Sequence, residues 1–235
     1  MARLSLLLML VAVVAVSAQK RCCTPDQFMA GVGSTIGESD PGPTALYSNS
    51  YGAYDFTNKR FGLNVTIAFL NDTSISYRLI QKFSTAGNFQ WIIYDQYKLC
   101  IKQPVTAPAF QNCVPENATF YDTMSIGGPS GLMVDVWSYE MSTPKDPVDG
   151  RVSATVIPKN CYPVGNSFVG VRYQGSESVP MVTTSGVFNM TEGIPNPDAW
   201  FTLPSYCQQE VNEIPHRHAR SIQTVHDYFV PLVGF

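Results

Sequence analysis

Hydrophobic and polar positions alternate one for one along much of this chain. Over residues 60–69, Phe61, Leu63, Val65, Ile67 and Phe69 alternate with Arg60, Gly62, Asn64, Thr66 and Ala68. A period of two is that of a β-strand with one buried and one wet face. Thr57 and Asn58 predict a turn that pairs this strand with residues 51–56, and Asn71 and Asp72 predict the next turn. Ile75, Tyr77, Leu79 and Phe83 continue on alternate positions. Gly87 and Asn88 predict another turn, after which Phe89, Trp91 and Ile93 alternate again.

The same reading predicts short strands at residues 99–102, 151–157, 168–173 and 181–188. Another carries Leu132, Val134 and Val136 on one face and Trp137 and Tyr139 on the other. Residues 104–115 form a Pro-rich connection, and Gly127, Gly128 and Pro129 a sharp loop. Turn signals every ten or so residues point to an antiparallel meander, sandwich or barrel. Helical signal is confined to the end: residues 205–213 begin at a capping Ser205, and residues 222–229 could form a further helical turn or a tail.

The first residues follow a different pattern. Arg3 precedes an apolar run from Leu4 to Val16, broken only by Ser5, and Ser17 and Ala18 follow. That is a secretory signal peptide over residues 1–18, cleaved before Gln19. The run is shorter than the ~20 residues a spanning helix needs. A signal anchor is the competing reading, and polar Gln19, Lys20 and Arg21 end the run abruptly against it. Residues 19–235 then form a single domain, with a C-terminal tail from about residue 214.

Secretion changes the meaning of the six cysteines, Cys22, Cys23, Cys100, Cys113, Cys161 and Cys207. An even number in an oxidising compartment predicts three disulfides, with fifteen pairings open. Zinc would need closely spaced ligand pairs, which are absent. Adjacent Cys22 and Cys23 would strain to pair with each other, so they staple the N-terminus to two distant places. Four sequons, at Asn64, Asn71, Asn117 and Asn189, predict a surface-glycosylated protein.

Only 14% of the 235 residues are charged, the net charge is −3, and 45% are hydrophobic. That combination excludes a disordered chain and a coiled coil. An acidic balance argues against a nucleic-acid partner.

Catalytic chemistry is not visible. The three histidines, His216, His218 and His226, all lie in the tail. His216 and His218 could hold a metal if the tail packed on an acidic patch; the plainer reading is an exposed segment. No nucleophile elbow, zinc-binding helix motif or phosphate loop occurs. Asp55, Asp95, Asp135 and Glu140 read as turn chemistry before they read as half of a carboxylate pair. Glu140, Asp146 and Asp149 are the densest acids, but they lack the alternating loop of a calcium site. The chain is therefore read as a non-enzyme without a covalent cofactor.

Several short strings, in order, resemble the ependymin-related family. They are Cys22 to Pro25; Tyr54 and Asp55 followed by Lys59 and Arg60; Pro115 to Phe120; Ser125 to Pro129; Lys159 to Val164; and Phe201 and Thr202 with Pro204 to Cys207. The resemblance spans about residues 22–210. It implies a mainly β fold like that of bacterial lipoprotein carriers, with two antiparallel sheets curved around a hydrophobic pocket and few short helices. It also implies a secreted or lysosomal glycoprotein, commonly dimeric, linked to lipid binding, calcium binding and cell–matrix adhesion. The family pattern pairs Cys22 with Cys161 and Cys100 with Cys207. Cys23 and Cys113 depart from the vertebrate-like pattern; they are the two left over, and their pairing stays open. With the family's pocket in mind, Phe61, Leu63, Val65, Phe69, Tyr77, Leu79, Phe89 and Trp91 are the lining candidates, against the alternative that they fill an ordinary core. A lipid or other hydrophobic small molecule is the expected partner.

Overall fold

The structure, a computed structural model, describes residues 21–39, 44–70, 72–105, 111–142, 148–174 and 177–208. The expected signal peptide, the sequon at Asn71, Asp146, the tail histidines and the helical turn or tail expected over residues 222–229 lie outside them.

Eleven antiparallel strands form one sheet: β1 Gln27–Glu38, β2 Thr44–Asp55, β3 Arg60–Phe69, β4 Ser74–Ser84, β5 Gly87–Tyr94, β6 Leu99–Pro104, β7 Thr119–Ile126, β8 Leu132–Ser142, β9 Val148–Val156, β10 Pro163–Gln174 and β11 Glu177–Glu192. The order across the sheet is β6-β5-β4-β3-β2-β1-β11-β10-β9-β8-β7. Two meanders, β1 to β6 and β7 to β11, are thus joined edge to edge by β1 pairing with β11. The two sheets of the sequence reading are two halves of one hydrogen-bonded sheet, which does not close, because β6 and β7 end it.

One face of this sheet is the core. Its main apolar cluster takes Phe28 and Ile36 from β1, Leu63 and Val65 from β3, Leu79 from β4, Ile101 from β6, Tyr139 from β8, Val152 from β9, Phe168 from β10 and Met181 from β11. All of them are buried. Helix α1, Pro197–Phe201, lies on the opposite face, where Phe201 packs with Met29 and Ala53. A 3-10 turn, Ser205–Gln208, occupies the described part of the helix expected over residues 205–213 and packs with Ile80, Ile93 and Cys100 on that outer face. Cys22 and Val114, from the segments before β1 and between β6 and β7, pack on Trp137 and Val156 of the inner face, and the rest of that face is covered by the curved sheet itself.

Three disulfides hold this arrangement: Cys22–Cys161, Cys23–Cys113 and Cys100–Cys207. The first ties the N-terminus to the β9–β10 turn of the second meander, and the second ties it to the connection between β6 and β7. The third clamps the 3-10 turn onto β6. Each closes a loop of roughly a hundred residues, worth about 4–5 kcal/mol if the unfolded chain's lost entropy dominates.

Candidate ligand-binding face

Residue placement on the inner face follows from strand parity. In β3, Phe61, Leu63, Val65 and Ile67 point in and are 1–3% exposed. Their β4 partners are Gln81, Leu79, Tyr77 and Ile75. Five of the lining candidates, Phe61, Leu63, Val65, Tyr77 and Leu79, therefore meet in the main core cluster, and Phe69 packs against it.

Phe89 and Trp91 do not join them, which corrects the expectation. The β4–β5 loop is two residues, Thr85 and Ala86, between paired Ser84 and Gly87. A two-residue loop pairs odd positions with even ones, and side chains of paired residues share a face. Leu79 thus faces with Ile92, and Gln81 with Gln90. Phe89 and Trp91 stand on the outer face, where Lys102 Nζ lies 4.6 Å from the Phe89 ring centre and Lys82 Nζ 5.6 Å from that of Trp91. The ammonium groups lie over ring faces, a cation–π arrangement.

Four tyrosines bring hydroxyls into the apolar interior: Tyr54, Tyr77, Tyr94 and Tyr139. Burial pushes all four phenols up, that of Tyr94 to about 12, so each stays neutral. The Phe28 ring stacks on Tyr54 at 4.8 Å.

The inner face is not uniformly apolar. Ser34, Ser48 and Thr183 are 2%, 0% and 1% exposed, and their hydroxyl oxygens have no hydrogen-bond partner. Gln81 Nε2 donates to Gln90 Oε1 at 2.9 Å, while Gln90 Nε2 is left unpartnered. Trp137 Nε1 is another unpartnered donor. Leaving a buried polar group unpaired costs about 1–3 kcal/mol. At one end of the same face, Arg172 donates to both oxygens of Glu38, from Nε at 2.7 Å and from Nη2 at 3.0 Å. That ion pair is buried on both sides.

The carboxylates considered for chemistry have structural partners. Asp55 is fully buried and accepts from Gln27, Asn58 and Arg60. Asp135 accepts from Thr123 Oγ1 at 2.6 Å. Asp95 accepts from Tyr206, Glu140 from Arg151, and Asp149 from Tyr173. Among the described residues, no three of His, Cys, Asp and Glu converge to hold a metal ion.

On the outer face an apolar recess of about 510 Å³ opens between the ends of β1, β2, β10 and β11, lined by Ala45, Leu70, Val169, Pro180 and Val182 among others. The sequence reading missed this recess, because it missed β1 altogether. Sequon residues Asn64, Asn117 and Asn189 are all exposed.

A family model described as Ependymin matches residues 71–207, more than half of the chain. The chain belongs to the ependymin family. Its relatives include the development-specific protein LVN1.2 of Lytechinus variegatus, 30% identical over 166 residues, which cover 69% of this chain and 87% of that protein. Mammalian ependymin-related protein 1 of Rattus norvegicus is 31% identical over 179 residues, covering 71% of this ependymin-family chain and 72% of the relative. A DUF1329 family protein from Desulfovibrio piger covers 81% of the chain and 93% of its own length at 7% identity, with a TM-score of 0.36, too low to equate the two folds.

Proposed function

We propose that this ependymin-family protein is a secreted, glycosylated binding protein that holds a lipid-like hydrophobic molecule against the inner face of its sheet. The observation that carries this reading is the inner face itself. One curved sheet gathers a single apolar, aromatic-rich cluster from both of its halves, and leaves neutral polar groups unpartnered within it. A protein folding only for stability gains nothing from those polar groups; an amphipathic guest gives them partners. The open edges β6 and β7 offer a route inward that a closed barrel lacks. The disulfides and the exposed sequons support an extracellular setting. In this reading the protein works by binding, in line with the structural bonds that Asp55, Asp95, Asp135, Glu140 and Asp149 make.

The test is native mass spectrometry of the secreted protein, followed by displacement of a fluorescent fatty probe. A co-purifying lipid, and weaker probe binding on Leu79→Ala or Val65→Ala, are expected. Absence of any lipid, together with no probe binding by the lipid-stripped protein, would sink the reading.

A further inference from the structure

Ser34, Ser48 and Thr183 belong together. Ser34 on β1 is directly opposite Ser48 on β2. Thr183 on β11 is opposite Ile36, one diagonal step from Ser34 across the β1–β11 junction. Directly opposed side chains stand ~5 Å apart at Cβ and diagonal ones ~7–8 Å. The three hydroxyls therefore form one patch where the two halves of the sheet meet. Solvent does not reach them, and none has a hydrogen-bond partner.

Their surroundings on the inner face mix small and apolar side chains. Ala30, Ser50 and Gly52 extend the same face along β1 and β2. Val32, Ile36 and Leu46 are the patch's buried apolar neighbours on those two strands, and Phe61, Leu79, Tyr139 and Phe168 stand on other strands of the same interior. A patch of hydroxyls set in an apolar face has the layout of a site for a head group with its tail along that face.

The charges nearby decide what kind of head. Glu38 lies on the same face of β1, but it is neutralised by Arg172 in a two-point ion pair. An anionic head here would lack a free cation among the described residues, and a buried charge without a partner is strongly disfavoured. Hydroxyls both donate and accept, so they match a neutral head that does the same.

We propose that Ser34, Ser48 and Thr183 form a head-group subsite for a neutral, hydrogen-bonding lipid, bearing hydroxyl or amide groups, rather than for a free fatty acid or a phospholipid. The subsite rests on the carrier reading above and narrows it to one class of ligand. Because the patch is closed to solvent, the interior parts to admit the head, and binding is coupled to that opening.

The test compares three probes of equal chain length on the secreted, lipid-stripped protein: a monoacylglycerol, the free fatty acid and its methyl ester. The monoacylglycerol is expected to bind about tenfold tighter than either, the equivalent of about one well-made hydrogen bond. Ser34→Ala with Ser48→Ala is expected to abolish that preference while methyl ester binding persists. The melting temperature of the empty double variant should be unchanged or higher, since no bond in the empty protein is lost. Thr183→Val serves as the second variant, with the same expectation. Equal affinities for all three probes, unchanged in the variants, overturn the subsite and leave the carrier reading standing. A lower melting temperature with a uniform loss for all three probes shows the hydroxyls to be structural and also overturns it. Binding of none of the three overturns the carrier reading, and the subsite with it.

Discussion

Asp55 shows how a single residue fixes a corner of this fold. It ends β2, just before the turn into β3, and it is fully buried. Gln27 Nε2 donates to its Oδ1 at 2.9 Å; Asn58 Nδ2 and Arg60 Nε donate to its Oδ2, each at 2.8 Å. Arg60 in turn lies 4.1 Å from the Phe201 ring centre, which links the turn to α1. Burial alone would push the Asp55 carboxyl up; the bonds from Gln27, Asn58 and Arg60 outweigh it and hold the group below its ordinary 3.8. A lowered folded value means stability that is complete above the unfolded value and lost as pH falls through the folded one. Asp55→Asn should therefore cost about 1–3 kcal/mol at neutral pH. The gap between the two proteins should narrow as pH drops below about 4. Thermal melts from neutral to acid pH check this, and a gap independent of pH would count against it.

At the scale of elements, α1 depends on a glycine in the strand beneath it. A Cβ on Gly62 would lie 2.5 Å from the Trp200 carbonyl oxygen, a backbone atom that cannot swing aside. Gly62→Ala should lift α1 from the sheet, destabilise the protein by about 1–3 kcal/mol and expose Trp200, seen as a red shift in its fluorescence. Gly186→Ala, on β11 with nothing within 4 Å of the new methyl group, is the control and should be neutral or slightly stabilising. The same glycine logic explains what the sequence concealed. β3 is legible because its alternation is unbroken from Phe61 to Phe69. β1, the strand that joins the two halves, is not, because Gly31, Gly33 and Gly37 occupy its outer positions and carry no hydrophobic signal. A Cβ on Gly31 would meet the Phe188 ring of β11, a neighbour invisible from the local sequence. β7 was missed as well; Thr119–Ile126 is almost wholly exposed, so no buried face marks it. Phe89 and Trp91 show the other limit. Alternation says which residues of a strand share a face, but the number of loop residues decides which face that is.

At the scale of the whole molecule, one interior spans both halves of the sheet. Phe168 on β10 and Leu79 on β4 belong to the same cluster, and Cys22–Cys161 ties the N-terminus to the second half. The halves should then unfold together rather than in sequence. Trp91 reports on the first half and Trp137, buried on β8, on the second. In variants that keep only one of these tryptophans, melts without reductant should give coincident transitions. Phe168→Ala, a cavity in the second half worth about 3–5 kcal/mol, should lower both midpoints equally. A guest held between the halves should raise both equally, because it binds only the folded form of a shared interior. If the Trp137 midpoint moves while the Trp91 midpoint stays, the interior is two cores, and a ligand site at the β1–β11 junction loses its physical basis.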